Sequence, residues 1–121
     1  MPSVMIVDDL PAVHEMLEAV INPEGYSSEC FLNGRNALKR YKDQRFDVVL
    51  ADISMKPMDG VSLLKKIIAY DPQAKVIMIT GYSTTDSAME ALTLGAFDYV
   101  EKPFRIDDLI DTVNRAISST G

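Results

Sequence analysis

Three carboxylates, a hydroxyl and an amine are each placed just after a short apolar run. Asp8 and Asp9 follow Ser3 to Val7, and Asp52 follows Val48-Val49-Leu50-Ala51. Thr80 follows Lys75 to Ile79, and Lys102 comes shortly after Phe97 to Val100. Carboxylates gathered in a small space repel one another, so such a group persists only if a cation offsets the charge or protons bind. An oxygen-rich set of this kind suits Mg²⁺, which takes one or two carboxylates, keeps waters and adds phosphate oxygens. A lysine and a hydroxyl facing the same point would stabilise a phosphoryl group in transfer, with an Asp as the nucleophile. Asp52, which follows the run Val48 to Ala51, is the expected nucleophile.

The elements that must position these groups follow from apolar spacing. Ser3 to Val7, Tyr26 to Leu32, Val48 to Ala51, Lys75 to Ile79 and Phe97 to Val100 read as five strands. The second is diluted by Ser27, Ser28 and Glu29 and is expected at a sheet edge. Helical spacing follows each strand. Pro11 opens a first helix with Val13, Leu17, Val20 and Ile21 inward, closed by Asn22-Pro23-Glu24-Gly25. Gly34 to Lys42 carries Ala37, Leu38 and Tyr41; Val61, Leu64, Ile67 and Ile68 mark a third helix, ended by Asp71-Pro72. A fourth, capped by Ser83 or Thr84, runs to Leu94 with Ala88, Ala91 and Leu92 inward and Gly95 as its stop. Ile106, Leu109, Ile110, Val113 and Ile117 mark the fifth, and residues 118–121 trail off as a polar tail or linker start.

Alternating strands and helices argue a parallel sheet sandwiched by helices through right-handed crossovers, an α/β fold in which functional groups collect at the carboxyl ends of the strands. Asp8, Asp9, Asp52, Thr80 and Lys102 therefore converge on one cleft.

Composition narrows the function classes. The chain of 121 residues has room for one domain, residues 1–121, and 47% hydrophobic residues suffice for its core. A formal charge of -6 disfavours direct nucleic-acid contact and suits a divalent metal or a cationic partner. A lone cysteine, Cys30, excludes an internal disulfide and reads as a small strand hydrophobe. No run is long enough to span a membrane and no signal peptide is present, which predicts a cytoplasmic protein without membrane contact.

The paired Asp8-Asp9, Asp52 followed by Met55 and Met58-Asp59-Gly60, Thr80-Gly81, and Asp98-Tyr99-Val100-Glu101-Lys102-Pro103-Phe104 together resemble the receiver domains of bacterial two-component response regulators. The resemblance spans essentially the whole chain. It implies a flavodoxin-like, doubly wound (βα)5 sheet with strand order 2-1-3-4-5 and helices on both faces. It implies that Asp52 accepts a phosphoryl group from a sensor histidine kinase or phosphotransfer protein. Asp9 and Asp52 would ligate Mg²⁺ or Mn²⁺ with the Ser54 backbone carbonyl, and Asp8 would act through water. Thr80 and Lys102 would bind the phosphoryl oxygens, Thr80 and Tyr99 would form the switch, and Ser54 and Tyr82 would tune dephosphorylation. The face of the fourth helix, fifth strand and fifth helix would then change to control an output domain or partner protein, or form a homodimer. One departure from the family pattern Asp-x-x-Met-Pro-x-Met-Asp-Gly is visible: Pro57 stands one place late and Lys56 takes its usual position.

Blander readings exist for single residues. Asp8 or Asp9 alone could cap the helix ahead of Pro11, Asp59 shapes a turn and helix start, and Tyr99 reads as a half-buried core aromatic. His14, between Val13 and Glu15 with no second His or Cys, reads as a solvated or stabilising residue. Two rival functions follow from the same fold. A phosphorylation-independent binding module would have lost one of Asp52, Thr80 or Lys102. A small aspartyl-phosphate phosphatase would need a second carboxylate two residues after the nucleophile, where Ser54 stands.

Overall fold

All five apolar runs are parallel strands of one sheet in the computed structural model, which describes residues 1–53, 58–81 and 85–119, the side chains of 85–88 excepted. The strands are β1 (Ser3–Val7), β2 (Ser27–Phe31), β3 (Val48–Asp52), β4 (Val76–Thr80) and β5 (Asp98–Glu101), in the spatial order β2-β1-β3-β4-β5. The helices are α1 (Pro11–Ile21), α2 (Gly34–Asp43), α3 (Gly60–Tyr70), α4 (Thr85–Thr93) and α5 (Ile106–Ser118). Order and helix count agree with the expectation.

Alternation within each strand explains why the runs are continuously apolar. Met5, Val7, Val49, Ala51, Val76 and Met78 pack with Tyr41, Phe46, Leu63, Leu64 and Ile67 in one core layer. Their strand neighbours Val4, Ile6, Val48, Leu50, Ile77 and Ile79 pack with Leu17, Ile21, Leu109, Val113 and Ala116 in the other. A strand covered on both faces has no position for a polar residue until it ends. The acids therefore begin where the cover stops. β2, with its Ser and Glu residues, lies at the sheet edge and is only partly buried, as its composition predicts.

Turn chemistry sets the helix starts. Asn33 caps α2 by accepting from the Asn36 amide at 2.9 Å, and Asp59 caps α3 by accepting from the Ser62 amide at 2.7 Å. Asp59 is thus a helix-start residue, as read. Gly60 is required by close approach: a Cβ there would lie 2.2 Å from the Asp52 carbonyl oxygen.

Four local expectations shift. β4 and β5 run one residue later than predicted, so Thr80 and Glu101 are inside strands. Leu92, expected inward on α4, is exposed at 42%, whereas Ala91 is buried. The α4 stripe is so narrow that one residue's rotation, 100° on a helix, carries Leu92 to solvent. Leu63, omitted from the α3 stripe, is fully buried beside Leu64. Ile106, expected on the buried stripe of α5, is exposed at its first position. The predicted caps Ser83 and Thr84, and Ala88, fall outside the described residues or side chains.

Candidate functional site

Strand register assembles the cleft. Val7 pairs with Ala51, so Asp8 and Asp52 leave adjacent strands at the same level. Asp52 pairs with Ile79, and Thr80 with Glu101, which brings Lys102 next to Thr80. The Lys102 amide donates to the Thr80 carbonyl at 2.7 Å, extending the ladder one residue past β5. Five residues scattered over 95 positions thus share one sheet edge.

Asp8, Asp9 and Asp52 each offer a carboxylate oxygen within 4.8 Å of the others. Burial separates them: Asp8 is 1% exposed and Asp52 7%, while Asp9 is exposed. Thr80 is buried beside them, and Lys102 is half-buried. Asp8 is anchored on three of its polar atoms. Its amide donates to the Phe31 carbonyl at 3.1 Å, its Oδ1 accepts from the Leu10 amide at 2.9 Å, and its carbonyl accepts from His14 Nε2 at 2.7 Å. The fourth, Oδ2, is buried with no hydrogen-bond partner among the described residues and lies 3.7 Å from Lys102 Nζ.

Burial pushes the Asp8 carboxyl above the usual carboxylate range, and the charges of Asp52 and Asp9 push the same way. The Leu10 amide and Lys102 oppose this without cancelling it. At 3.7 Å the lysine is an ion-pair neighbour but not a full hydrogen-bond donor, which is why its compensation is partial. An orphaned buried oxygen in a triple-acid cluster has the donor chemistry of a divalent-cation site.

The switch candidate Tyr99 is more exposed, at 38%, than a half-buried core aromatic would be. It pairs with Met78, two residues before Thr80, so register puts Tyr99 and Thr80 on one face of the sheet. Its ring borders a shallow cavity of about 270 Å³ with Glu101, Pro103, Phe104 and Arg105. Ser54 and Tyr82, and the Met55-Lys56-Pro57 departure, lie outside the described residues.

Two contacts were not found by sequence reasoning. Gly60 is present in the sequence motif, but the close approach of its backbone to Asp52 is visible only in the structure. His14 was set aside as solvated or stabilising, yet it is half-buried and bound to the Asp8 carbonyl. Its separation of six residues from Asp8 across a strand-to-helix turn is the signal that was available.

Comparison with known proteins agrees with this fold. A family model described as response regulator receiver domain matches residues 4–114. The regulatory protein AtoC of Escherichia coli K12 is 43% identical over 114 residues, covering 94% of this chain and 25% of that protein. The DNA-binding transcriptional regulator NtrC of Proteus hauseri is 40% identical over 116 residues, covering 96% and 24%. The chain therefore spans about a quarter of the length of these curated relatives. Among solved structures, the Francisella response regulator 1452 receiver domain superposes with a TM-score of 0.93 at 30% identity, covering 100% of both chains. The beryllofluoride-activated NtrC4 receiver domain dimer superposes with a TM-score of 0.92 at 33% identity, covering 97% of each chain.

Proposed function

Because this chain belongs to the response regulator receiver domain family, we propose that it is a phosphorylation-dependent switch with Asp52 as phosphoacceptor. The observation that carries this reading is the triple-acid cluster at the sheet edge with Lys102 Nζ 3.7 Å from its buried oxygen. The donor is a phosphohistidine on a sensor kinase or phosphotransfer protein. An Asp52 carboxylate oxygen attacks phosphorus, the P–O bond forms, the P–N bond breaks, and the donor histidine, protonated on its other ring nitrogen, leaves as neutral imidazole. The product is an aspartyl phosphate.

Asp9 and Asp52, with the Ser54 carbonyl, would hold Mg²⁺ or Mn²⁺, and Asp8 would contribute through water. Such an ion would supply positive charge to the phosphoryl oxygens. Lys102 adds a second cation at the same edge, and the Thr80 hydroxyl donates to a phosphoryl oxygen. Asp8, buried and anchored, keeps the site anionic enough to attract a cation. Ser54 and Tyr82 tune how readily water reaches the aspartyl phosphate. The domain acts on itself and a partner and is not a turnover enzyme; with Ser54 where a phosphatase needs a carboxylate, no observation favours the rival.

The output follows from Thr80 and Tyr99 sharing one sheet face. A Thr80 hydroxyl drawn to the phosphoryl group vacates space that the Tyr99 ring takes, which biases the α4-β5-α5 surface between two arrangements. Met89, Leu92 and Tyr99 are exposed there, and the beryllofluoride-activated relative is a dimer. Both support a homodimer, or docking of an output domain, through that face. Residues 1–121 form one receiver domain in this reading; α5 takes in Ser118, so the tail or linker start expected at 118–121 begins only after it. No described helix is long and apolar enough to cross a membrane, and action in the cytoplasm without nucleic-acid contact suits the charge of -6.

The test is intact mass after mixing with Mg²⁺ and acetyl phosphate. One added phosphoryl group on the wild type and none on Asp52→Asn is expected. No addition to the wild type, or addition that survives the substitution, defeats the reading.

A further inference from the structure

We propose that His14 is a positioning residue for the acidic site, holding the peptide between Asp8 and Asp9 through its Nε2 hydrogen bond to the Asp8 carbonyl. A carbonyl only accepts, so the 2.7 Å contact requires that Nε2 carry the hydrogen. The Asp8 carbonyl belongs to the peptide plane that links the two acids. Its tilt sets ψ of Asp8 and φ of Asp9 together, and hence the direction in which each carboxylate leaves the chain.

Nothing else described holds that plane from the helix side. The Asp8 amide is tied to β2, and the bond from the Leu10 amide to Oδ1 restrains the following peptide from the loop side, while its carbonyl oxygen is held from the helix side by His14. Leu10, the residue preceding α1, provides no side-chain cap, and Pro11 has no amide to donate. His14, one turn into α1 and half-buried, closes the gap. It couples the helix to the site without touching the cation or the phosphoryl group. Groups that orient ligands in this way cost about tenfold or more in metal affinity when removed.

This inference rests on the reading of the acid cluster as a Mg²⁺ site, and the test separates the two. His14→Gln and His14→Met place side chains of similar length on the same helical turn, and only Gln carries a donor. Mg²⁺ binding is measured by calorimetry on the chain and both variants, and the ¹⁵N amide shifts of Asp9 and Leu10 are recorded before metal is added. His14→Met is expected to weaken Mg²⁺ by about tenfold and to move both amide signals, while His14→Gln stays within about twofold with signals near wild type. A wild type that binds no Mg²⁺ removes the metal reading itself. A wild type that binds, with both variants matching it or both equally weakened, leaves that reading intact and overturns the role of His14.

Discussion

Asp8 Oδ2 lies 3.7 Å from Lys102 Nζ, yet the carboxyl remains raised above its usual range because its burial, reinforced by the neighbouring acids, outweighs the lysine. The cleft is therefore anionic beyond what its own amine offsets. Under the proposed metal-site reading, stability is exchanged there for cation affinity.

Asp8→Asn should expose that trade. The amide retains an acceptor for the Leu10 N–H and removes one buried charge, so the metal-free protein should gain roughly 1 kcal/mol, or about 3–6 °C in Tm. In the wild type the sign follows from the raised pKa. Protonation of Asp8 is tighter in the folded state, so its contribution is fully present below 3.8 and is lost as pH rises through the folded value. Mg²⁺ should raise Tm at neutral pH in the wild type and far less in Asp8→Asn, as read by scanning calorimetry.

Gly60→Ala should damage Asp52 through the backbone. Its Cβ would meet the Asp52 carbonyl oxygen at 2.2 Å and the Ile53 Cα at 2.8 Å, neither of which can give way without moving the end of β3. A loss of about 3 kcal/mol in urea unfolding is expected, with slower phosphorylation. Gly81→Ala, with no described residue within 4 Å of its Cβ, should stay within about 0.5 kcal/mol.

Asp59→Ala should lose the α3 cap and cost about 1 kcal/mol, with phosphorylation by acetyl phosphate retained. Asp59→Ser should restore most of the stability. Loss of phosphorylation in a folded Asp59→Ser variant would show that the carboxylate itself serves the site.

At the opposite edge of the sheet, Asp71 Oδ2 accepts from the buried Tyr41 hydroxyl at 2.7 Å and from Arg45 Nε at 2.8 Å. Burial alone would raise the Asp71 pKa, but the Tyr41 hydroxyl, Arg45 and the Gln73 amide outweigh it and hold the group below its usual range. Its contribution is thus present above 3.8 and lost as pH falls through the lower folded value. Tyr41→Phe should cost about 1–2 kcal/mol at neutral pH and flatten the acid limb of the stability curve, as followed by urea unfolding between neutral pH and pH 3.

Much of the site was legible because chemistry and burial are locally coupled in this fold. Val48 to Ala51 read as a strand covered on both faces, and the first polar residue after that run, Asp52, sits at the carboxyl end of the strand. The same holds for Val7 before Asp8 and Ile79 before Thr80. Cap signals also work locally, since Asp59 and the Ser62 amide are three residues apart.

Tertiary structure decided what adjacent residues could not. Asp8 and Asp9 are neighbours of one type, but Asp8 is sealed inside and Asp9 exposed. Both carboxylates reach the same cluster, and only the path of the turn decides which is buried under it and which stays open to solvent. Leu92 and Ala91 are separated by the same kind of choice, made by how α4 is rotated on the sheet. The closeness of Gly60 to Asp52, and of His14 to the Asp8 carbonyl, depends on where two helices begin relative to two strand ends. Sequence by itself determined which residues could do chemistry and which strands carry them; packing determined how they face one another, because orientation is set by contacts between segments distant along the chain.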